Sequence, residues 1–433
     1  MQNSLQQINT ANDRSTPAKT KKVIVIAHNH PKFAPGGAEI FAYDLFKTIR
    51  SHTHYEPFFM GAASAAVSRE IHGGTMFQTM DDAQDEMLFW GDTFDIFYQS
   101  QQIPDFMFGD FKSFLQKFQP DVVHLQHTFR IGVEAIQIAY KARPKPKIVY
   151  TLHEYWLICH REGQMVRKHN GELCDYASPD RCHQCFPEIP AQQFMMREAF
   201  LKAHLELVDL FISPSKFLAN RFINWGIPPE KMVVMENGRH LSPPTPQRVL
   251  AEGETRSNFG FFGQINPFKG VLLALEALIY LVKNDFSDLH LHLYGSVSHF
   301  PGFQEEFFRL VNLCADNVTF HGPYKNDEIP ELIKQIDWVI VPSTWWENSP
   351  LVIQEVFMHK RPIICSNIGG MAEKVEDNVT GLHFRARNHI NLAEMMKRAC
   401  TEEGLWQRLM QNIGPRLSIE DCARQHVELY DSL

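Results

Sequence analysis

This 433-residue chain contains no run of eighteen or more apolar residues, which excludes a conventional membrane-spanning helix. Residues 1–21 are polar and lack the apolar stretch of a secretory signal peptide, so they are expected to form a disordered tail on a cytoplasmic protein. A basic surplus is also missing. With 42 Lys and Arg against 50 Asp and Glu, the net charge of -8 argues against nucleic acid as a partner. There is no G-x-G-x-x-G, which argues against a nicotinamide or flavin dinucleotide. Nor does a D-x-D carboxylate pair stand at a strand end. The nearest acids, Asp81 and Asp82, lie in a polar segment without the context of a catalytic metal site.

At 44% hydrophobic residues and this length, the chain can bury two full cores. Short apolar runs alternate with helical periodicity in two successive series, the pattern of doubly wound α/β domains. The first series predicts strands over 22–27, 122–126, 148–152, 210–213 and 232–236. The second predicts strands over 258–262, 290–294, 318–321, 338–341, 362–365 and 381–384. Between them, the Pro-rich polar segment 241–256 reads as an exposed linker. The expected organisation is a first Rossmann-like domain over 22–240, a second over 257–415, and a cleft between them. Segment 416–433 reads as a closing helix.

The most informative stretch is DWVIVPSTWWENSPLVIQE, residues 337–355. Trp338 to Val341 reads as a buried strand, and Ser349 with Pro350 reads as an N-cap and first helical residue. Glu355 then sits in an apolar helical segment with Leu351, Val352 and Ile353, where an ionised carboxylate needs a polar partner. Ligands of open α/β folds bind at the carboxyl ends of the strands, and a helix N-terminus there favours an anion. A nucleotide sugar suits this geometry, with its diphosphate near Asn348, Ser349, Pro350 and Leu351, sugar hydroxyls on Glu347 and a ribose diol on Glu355. The alternative is a solvated Glu347 and a Glu355 paired to a lysine.

Other turns converge on the same rim. Gly36 and Gly37 open a helix just beyond the first strand, and Gly369 and Gly370 repeat the arrangement in CSNIGGMAE. Glycine permits close approach of backbone to a phosphate, although each pair alone also fits a plain turn. In NFGFFGQINPFKG, Lys269 stands at the start of a helix, placed to add a point charge to the helix dipole. His153 follows the strand over 148–152, so its imidazole faces the cleft with a hydrogen-bonding edge.

These segments together resemble retaining nucleotide-sugar glycosyltransferases of family 4, with the two-lobed GT-B fold. The resemblance rests on PGGAE, TLHE at 151–154, SPSKFLANRF, ENG, FGQINPFKG and, most specifically, the spaced acids of ENSPLVIQE. It implies that Glu347 supports the reacting face of the donor sugar and that Glu355 binds ribose. It also implies that Lys269 stabilises the diphosphate, that Gly36 and Gly37 approach it from the first lobe, and that His153 touches the sugar. The last helix would cross back to the first lobe. No cofactor would be required for catalysis, and the acceptor would be a glycan or lipid-linked glycan in polysaccharide biosynthesis. Two departures stand out: Gln264 occupies the place of a family arginine, with Arg239 as a substitute cation, and Glu154 replaces the usual aspartate. A GT-B epimerase and a non-catalytic sugar-nucleotide binder are the alternative functions.

Four of the eight cysteines, Cys159, Cys174, Cys182 and Cys185, fall in the insertion 155–190, where Cys182 and Cys185 have chelating spacing. A structural zinc site is one expectation, free thiols the other. Thirty-three phenylalanines, many between residues 87 and 118, read mainly as core. An exposed subset would offer an apolar acceptor surface or a patch for peripheral association with the inner membrane face.

Overall fold

Runs such as Val23–Ile26, fully buried, can only be satisfied where both faces of a sheet are covered, and the chain builds two such sheets. The computed structural model describes residues 20–63, 75–80, 83–91 and 93–433. The first lobe contains β1 (Lys21–Ala27), β2 (Tyr55–Ala62), β3 (Phe77–Met80), β4 (Ala83–Phe89), β5 (Val122–Leu125), β6 (Lys147–Thr151), β7 (Leu210–Ser213) and β8 (Met232–Val234). Their order is β8-β7-β6-β5-β1-β2-β4-β3, parallel except for β3 against β4. In the second lobe, β9 (Asn258–Phe262), β10 (His290–Tyr294), β11 (Val318–Gly322), β12 (Trp338–Val341), β13 (Ile363–Ser366) and β14 (Gly381–Phe384) form a wholly parallel sheet. Its order is β11-β10-β9-β12-β13-β14.

Both sheets reverse direction beside their first strand, β1 and β9, so the crevice at each switch point opens towards the facing lobe. Helices cover the two faces of each sheet. The segment β2 to β4 goes beyond the strands expected from sequence, because its apolar residues are interrupted by charged ones such as Glu86. That carboxylate is buried and satisfied by Lys47 at 2.6 Å and His30 at 3.1 Å. Asp81, Asp82 and residues 1–19 of the expected tail lie outside the described residues.

The final helix, Ile419–Ser432, packs on the first lobe rather than the second. Ile419, Cys422, Ala423, Val427 and Tyr430 share a core with Val23, Phe41 and Leu45. The Tyr430 hydroxyl lies 2.7 Å from Nδ1 of buried His124, and Asp431 accepts from Lys21 and Tyr55. Gly238 lets this helix approach, since a Cβ there would fall 2.5 Å from the Ser418 carbonyl oxygen.

Segment 241–256 is exposed over most of its length, as its composition suggests, and is anchored to the second lobe at a few points. Asp337, with no exposed surface, holds Arg248 and Arg256 of this segment at 2.9 Å each. Buried Arg361 donates to the carbonyls of Thr245 and Pro246. A buried carboxylate and a buried guanidinium need partners, and the segment supplies them. Asp337→Asn leaves two arginines facing a neutral amide and should lower unfolding free energy by about 3 kcal/mol, read as a lower urea midpoint. An unchanged midpoint would mean that the segment is not anchored there.

Candidate functional site

The carboxyl end of β12 leads into a loop that carries Ser343, Trp345 and Glu347 back onto Lys269 of the second lobe. One oxygen of Glu347, Oε1, accepts from Lys269 Nζ at 2.7 Å, Ser343 Oγ at 2.8 Å and Trp345 Nε1 at 2.9 Å. Burial works to raise this carboxyl's pKa, but the charge and hydrogen bond of Lys269, with the Ser343 and Trp345 donors, outweigh it and lower the pKa. Glu347 is therefore an ionised carboxylate with its second oxygen left for the cleft.

Gly369 and Gly370 fix this loop rather than face the cleft. A Cβ on Gly370 would lie 1.7 Å from the Asn348 carbonyl oxygen, and Gly369 has φ +62° against the Glu347 backbone. The Gly370 N–H donates to the Glu347 carbonyl at 2.6 Å. The glycines thus hold Glu347 in place through the main chain.

Residues Asn348 to Leu351 lead into the helix Leu351–Met358, whose N-cap is Pro350 with no side-chain cap. Ser349 does not cap it, contrary to the sequence expectation. Proline at the N-cap places the preceding hydroxyl outside the first turn, and Ser349 Oγ and Asn348 Oδ1 are buried without a hydrogen-bond partner. Both residues line a cleft of about 390 Å³. Unsatisfied buried polar atoms beside a helix N-terminus with free N–H groups mark a place where a polar ligand completes the bonding. Asn348 also reaches across the lobes, donating to the His153 carbonyl at 2.6 Å.

From the first lobe, Gly36 and Gly37 meet this helix. Gly36 is the N-cap of the helix Gly37–His52, and a Cβ on Gly37 would stand 3.2 Å from Leu351 Cδ1. Both glycines line the cleft with His153, Gln264 and Glu355. Gln264 accepts from Asn266 at 3.1 Å and contributes no charge. Arg239, considered as a substitute cation, donates from one guanidinium nitrogen to Glu355 at 2.6 Å, and its Nη1 is buried without a hydrogen-bond partner. Burial raises the Glu355 pKa despite this partner. Glu355 therefore has a polar partner from the protein itself, an arginine rather than the lysine considered from sequence.

His153 Nε2 lies 2.7 Å from Gln126 Oε1, which fixes the proton on Nε2 and leaves Nδ1 as the ring's acceptor. Burial pushes its pKa down to about 3, so the ring is neutral. Behind it, sequence reading missed a set of paired groups at the ends of β1, β5 and β6. His28 lies 2.7 Å from Glu39 and His127 2.9 Å from Glu154, with the two rings 4.5 Å apart. Burial opposes the Glu39 carboxylate, yet His28 and Asn29 pull its pKa down to about 2. Burial pushes Glu154 up to about 8, partly countered by the Trp156 N–H. Histidines directly following apolar strand runs, as in VIAHNH and VHLQH, were the available signal.

The four insertion cysteines gather around one small cavity with His160 and Arg181. All are free thiols, and Cys174 donates to the Tyr176 carbonyl. Among the described residues, however, no group of three or more His, Cys, Asp or Glu side chains is arranged to hold a metal ion. The expected zinc set of Cys159, Cys174, Cys182 and Cys185 is thus assembled around a common space but not into a ligand set. Burial raises the pKa of the Cys159, Cys174 and Cys182 thiols, that of Cys182 to about 12.

Two family models together span nearly the whole chain: glycosyltransferase family 4 over residues 35–242 and glycosyl transferases group 1 over residues 245–414. The chain belongs to the group 1, family 4 glycosyltransferases. The D-inositol 3-phosphate glycosyltransferase of Corynebacterium efficiens is 26% identical over 194 residues, 41% of this chain and 45% of the relative. The alpha-D-kanosaminyltransferase of Streptomyces kanamyceticus is 27% identical over 157 residues, 36% of this chain and 39% of the relative. The chain thus matches less than half the length of these relatives. Among solved structures, Anabaena HepE in complex with UDP superposes with a TM-score of 0.67 at 18% identity, covering 95% of this chain and all of that one. Sucrose-phosphate synthase from Thermosynechococcus elongatus gives 0.67 at 16%, covering 95% and 98%. The fold is GT-B, two Rossmann-like domains facing a cleft.

Two measurements check the site in this glycosyltransferase. A carboxyl with a folded-state pKa near 8 binds its proton more tightly than in the unfolded chain. Its burial therefore costs nothing below the unfolded pKa of about 4.3 and costs progressively more as pH rises towards 8. Glu154→Gln should match the parent near pH 4 and exceed it at pH 9 by about 1–2 kcal/mol, the modest figure reflecting the quarter of the side chain still exposed. Parallel pH–stability curves would refute the assignment. Cys182 should alkylate about three orders of magnitude more slowly than an ordinary thiol at pH 8, given its small thiolate fraction. Fast alkylation, or stoichiometric zinc in protein purified without chelator, would overturn the protonated-thiol description.

Proposed function

We propose that this glycosyltransferase takes a sugar from a nucleoside diphosphate and attaches it, with retention at the anomeric carbon, to a glycan or lipid-linked glycan acceptor in polysaccharide biosynthesis in the cytoplasm. The observation that carries the reading is the ionised Glu347, held on one oxygen by Lys269, Ser343 and Trp345 and lining the cleft beside the unsatisfied Ser349 and Asn348. A carboxylate with one free oxygen suits sugar hydroxyls and a developing positive charge. The UDP bound in the Anabaena HepE structure supports a nucleotide as the donor's leaving portion.

In this reading the diphosphate lies across the first turn of the helix Leu351–Met358, with Lys269 supplying the nearest cation. Gly37 allows the first lobe to close on it. The ribose diol meets Glu355, whose orientation Arg239 fixes. His153 accepts a hydrogen bond from a sugar hydroxyl through Nδ1, and as a neutral imidazole it carries no charge to repel an oxocarbenium-like sugar. The bond from the anomeric carbon to the diphosphate breaks while the acceptor oxygen bonds on the same face. The acceptor's proton passes to the departing phosphate oxygen, so no dedicated general base is needed. Catalysis is positioning and electrostatics, with Lys269 and the helix dipole stabilising the leaving charge in place of a bound metal.

Glu347→Gln should lower kcat on the order of a hundredfold while leaving donor affinity nearly intact, because the lost charge acts on the transition state. In a thermal-shift panel of nucleotide sugars, a donor at a hundred times its Kd adds about 2.7 kcal/mol of stability. Glu355→Ala should abolish that shift. A retained shift would remove Glu355 from the ribose site, and an inverted product anomer would refute retention. Donor converted to an epimer without acceptor would favour an epimerase.

A further inference from the structure

Val122, His124 and Gln126 alternate onto one face of the first-lobe sheet, where His124 stands between Val25 of β1 and Val149 of β6. Those valines belong to the apolar core beneath the helix Ile419–Ser432. His124, Gln126, Thr151 and Tyr430 are all buried in this layer. Buried polar side chains are costly unless their hydrogen bonds are made, and aliphatic residues would pack there without that demand. The row therefore calls for a use beyond packing.

Its members form one line of hydrogen bonds from the last helix to the cleft. The Tyr430 hydroxyl lies 2.7 Å from His124 Nδ1, His124 Nε2 lies 3.0 Å from Gln126 Nε2, and Gln126 Oε1 lies 2.7 Å from His153 Nε2. An amide nitrogen can only donate, so His124 Nε2 accepts and the His124 proton sits on Nδ1, donating to Tyr430. Thr151 Oγ1, 2.7 Å from the same Nε2, donates through its rotatable hydroxyl. Burial, with His426 and His153 nearby, lowers the His124 pKa well below its ordinary value, so this ring is neutral and has one donor and one acceptor. At the far end, Phe41 packs edge-on against the His153 ring, 5.9 Å between centroids, and His153 lines the cleft.

Such a line has two self-consistent directions, because each neutral ring and the amide must donate at one end and accept at the other. In the direction observed, His153 turns an acceptor, Nδ1, to the cleft. Reversed throughout, it would turn an N–H there. We infer that Tyr430, His124 and Gln126 are positioning residues that set the direction of this line and thereby the edge His153 presents to the donor sugar, which makes the returned last helix part of the sugar site. The inference rests on the reading of His153 as a contact of that sugar. A lone pair there sets partial negative charge against a sugar on which positive charge develops, whereas an N–H sets partial positive charge against it. A hydroxyl can either donate or accept, so the direction matters less for binding the donor than for reaching the transition state.

The test is imidazole 15N NMR of the full chain without ligand, with the His153 signals assigned from His153→Gln. The parent should show His153 as the Nε2–H tautomer alone. Tyr430→Phe leaves the His124 Nδ1–H without an acceptor, so that proton should move to Nε2, the Gln126 amide turn over and His153 populate the Nδ1–H form. Gln126→Met should mix the two tautomers, and Gln126→Glu, which still accepts from Nε2–H, should restore the parent's. Release of nucleoside diphosphate from UDP-, GDP- and dTDP-hexoses supplies the second measurement. Tyr430→Phe and Gln126→Met should each lower kcat on the order of tenfold with the donor KM nearly unchanged. An unchanged His153 tautomer in both variants would overturn the inference whatever the kinetics. A changed tautomer with unchanged kcat, or a parent that releases no diphosphate from any of the three, would instead overturn the sugar contact of His153, and the positioning role with it.

Discussion

An ionised carboxylate held nearly out of water governs the second lobe. Glu347 is 7% exposed, and a charge so placed persists only if the protein replaces its hydration. Lysine, serine and indole donors do so on one oxygen alone. Each comes from a different constraint: Lys269 from the turn after β9, Ser343 from the end of β12, and Trp345 from the loop itself. The glycines at 369 and 370 are part of the same arrangement, since any side chain there would displace the backbone carrying the acid. Removal of one donor would leave the carboxylate both less ionised and less well placed.

The lobes meet through contacts that originate beside this acid. Asn348 donates to the His153 carbonyl, Trp346 donates to the Cys174 carbonyl at 3.2 Å, and Arg387 donates to the Gly171 carbonyl at 2.6 Å. The last two contacts tie the cysteine-bearing insertion to the second lobe. Glu373 accepts from the N–H groups of Lys216 and Phe217, capping a first-lobe helix from the opposite side. Lys374 and Gln354 both reach Glu236. Most of these bonds run to main-chain groups, so they fix lobe position without demanding particular side chains on the partner.

Much of this architecture was legible in the sequence because its causes are local. Apolar runs of four or five residues gave the parallel strands, and the turn at Gly36 and Gly37 marked the cleft rim. What escaped depends on long-range partners. The strands β2 to β4 contain Glu86, whose burial makes sense only once Lys47 and His30 stand beside it. The segment 241–256 has the composition of a linker, but Asp337 and Arg361 bind it. Ser349 has the sequence of a helix cap, yet Pro350 takes that position. Arg239 was considered for the ligand, whereas Glu355, 116 positions away, engages it. The paired histidines and acids beneath the cleft, His28 with Glu39 and His127 with Glu154, stand 11 and 27 positions apart, and no spacing rule connects them.

The helix Ile419–Ser432 fills a face of the first lobe, although the whole second lobe intervenes in the chain. During synthesis, the apolar side of the helix Gly37–His52 therefore emerges from the ribosome long before its cover exists. The amino-terminal half must wait, with Phe41 and Leu45 incompletely shielded, until the carboxyl-terminal half has been made and its end returns. Cotranslational folding of this chain thus cannot finish one half before the other, and shortened chains would carry an adhesive scar where that helix belongs.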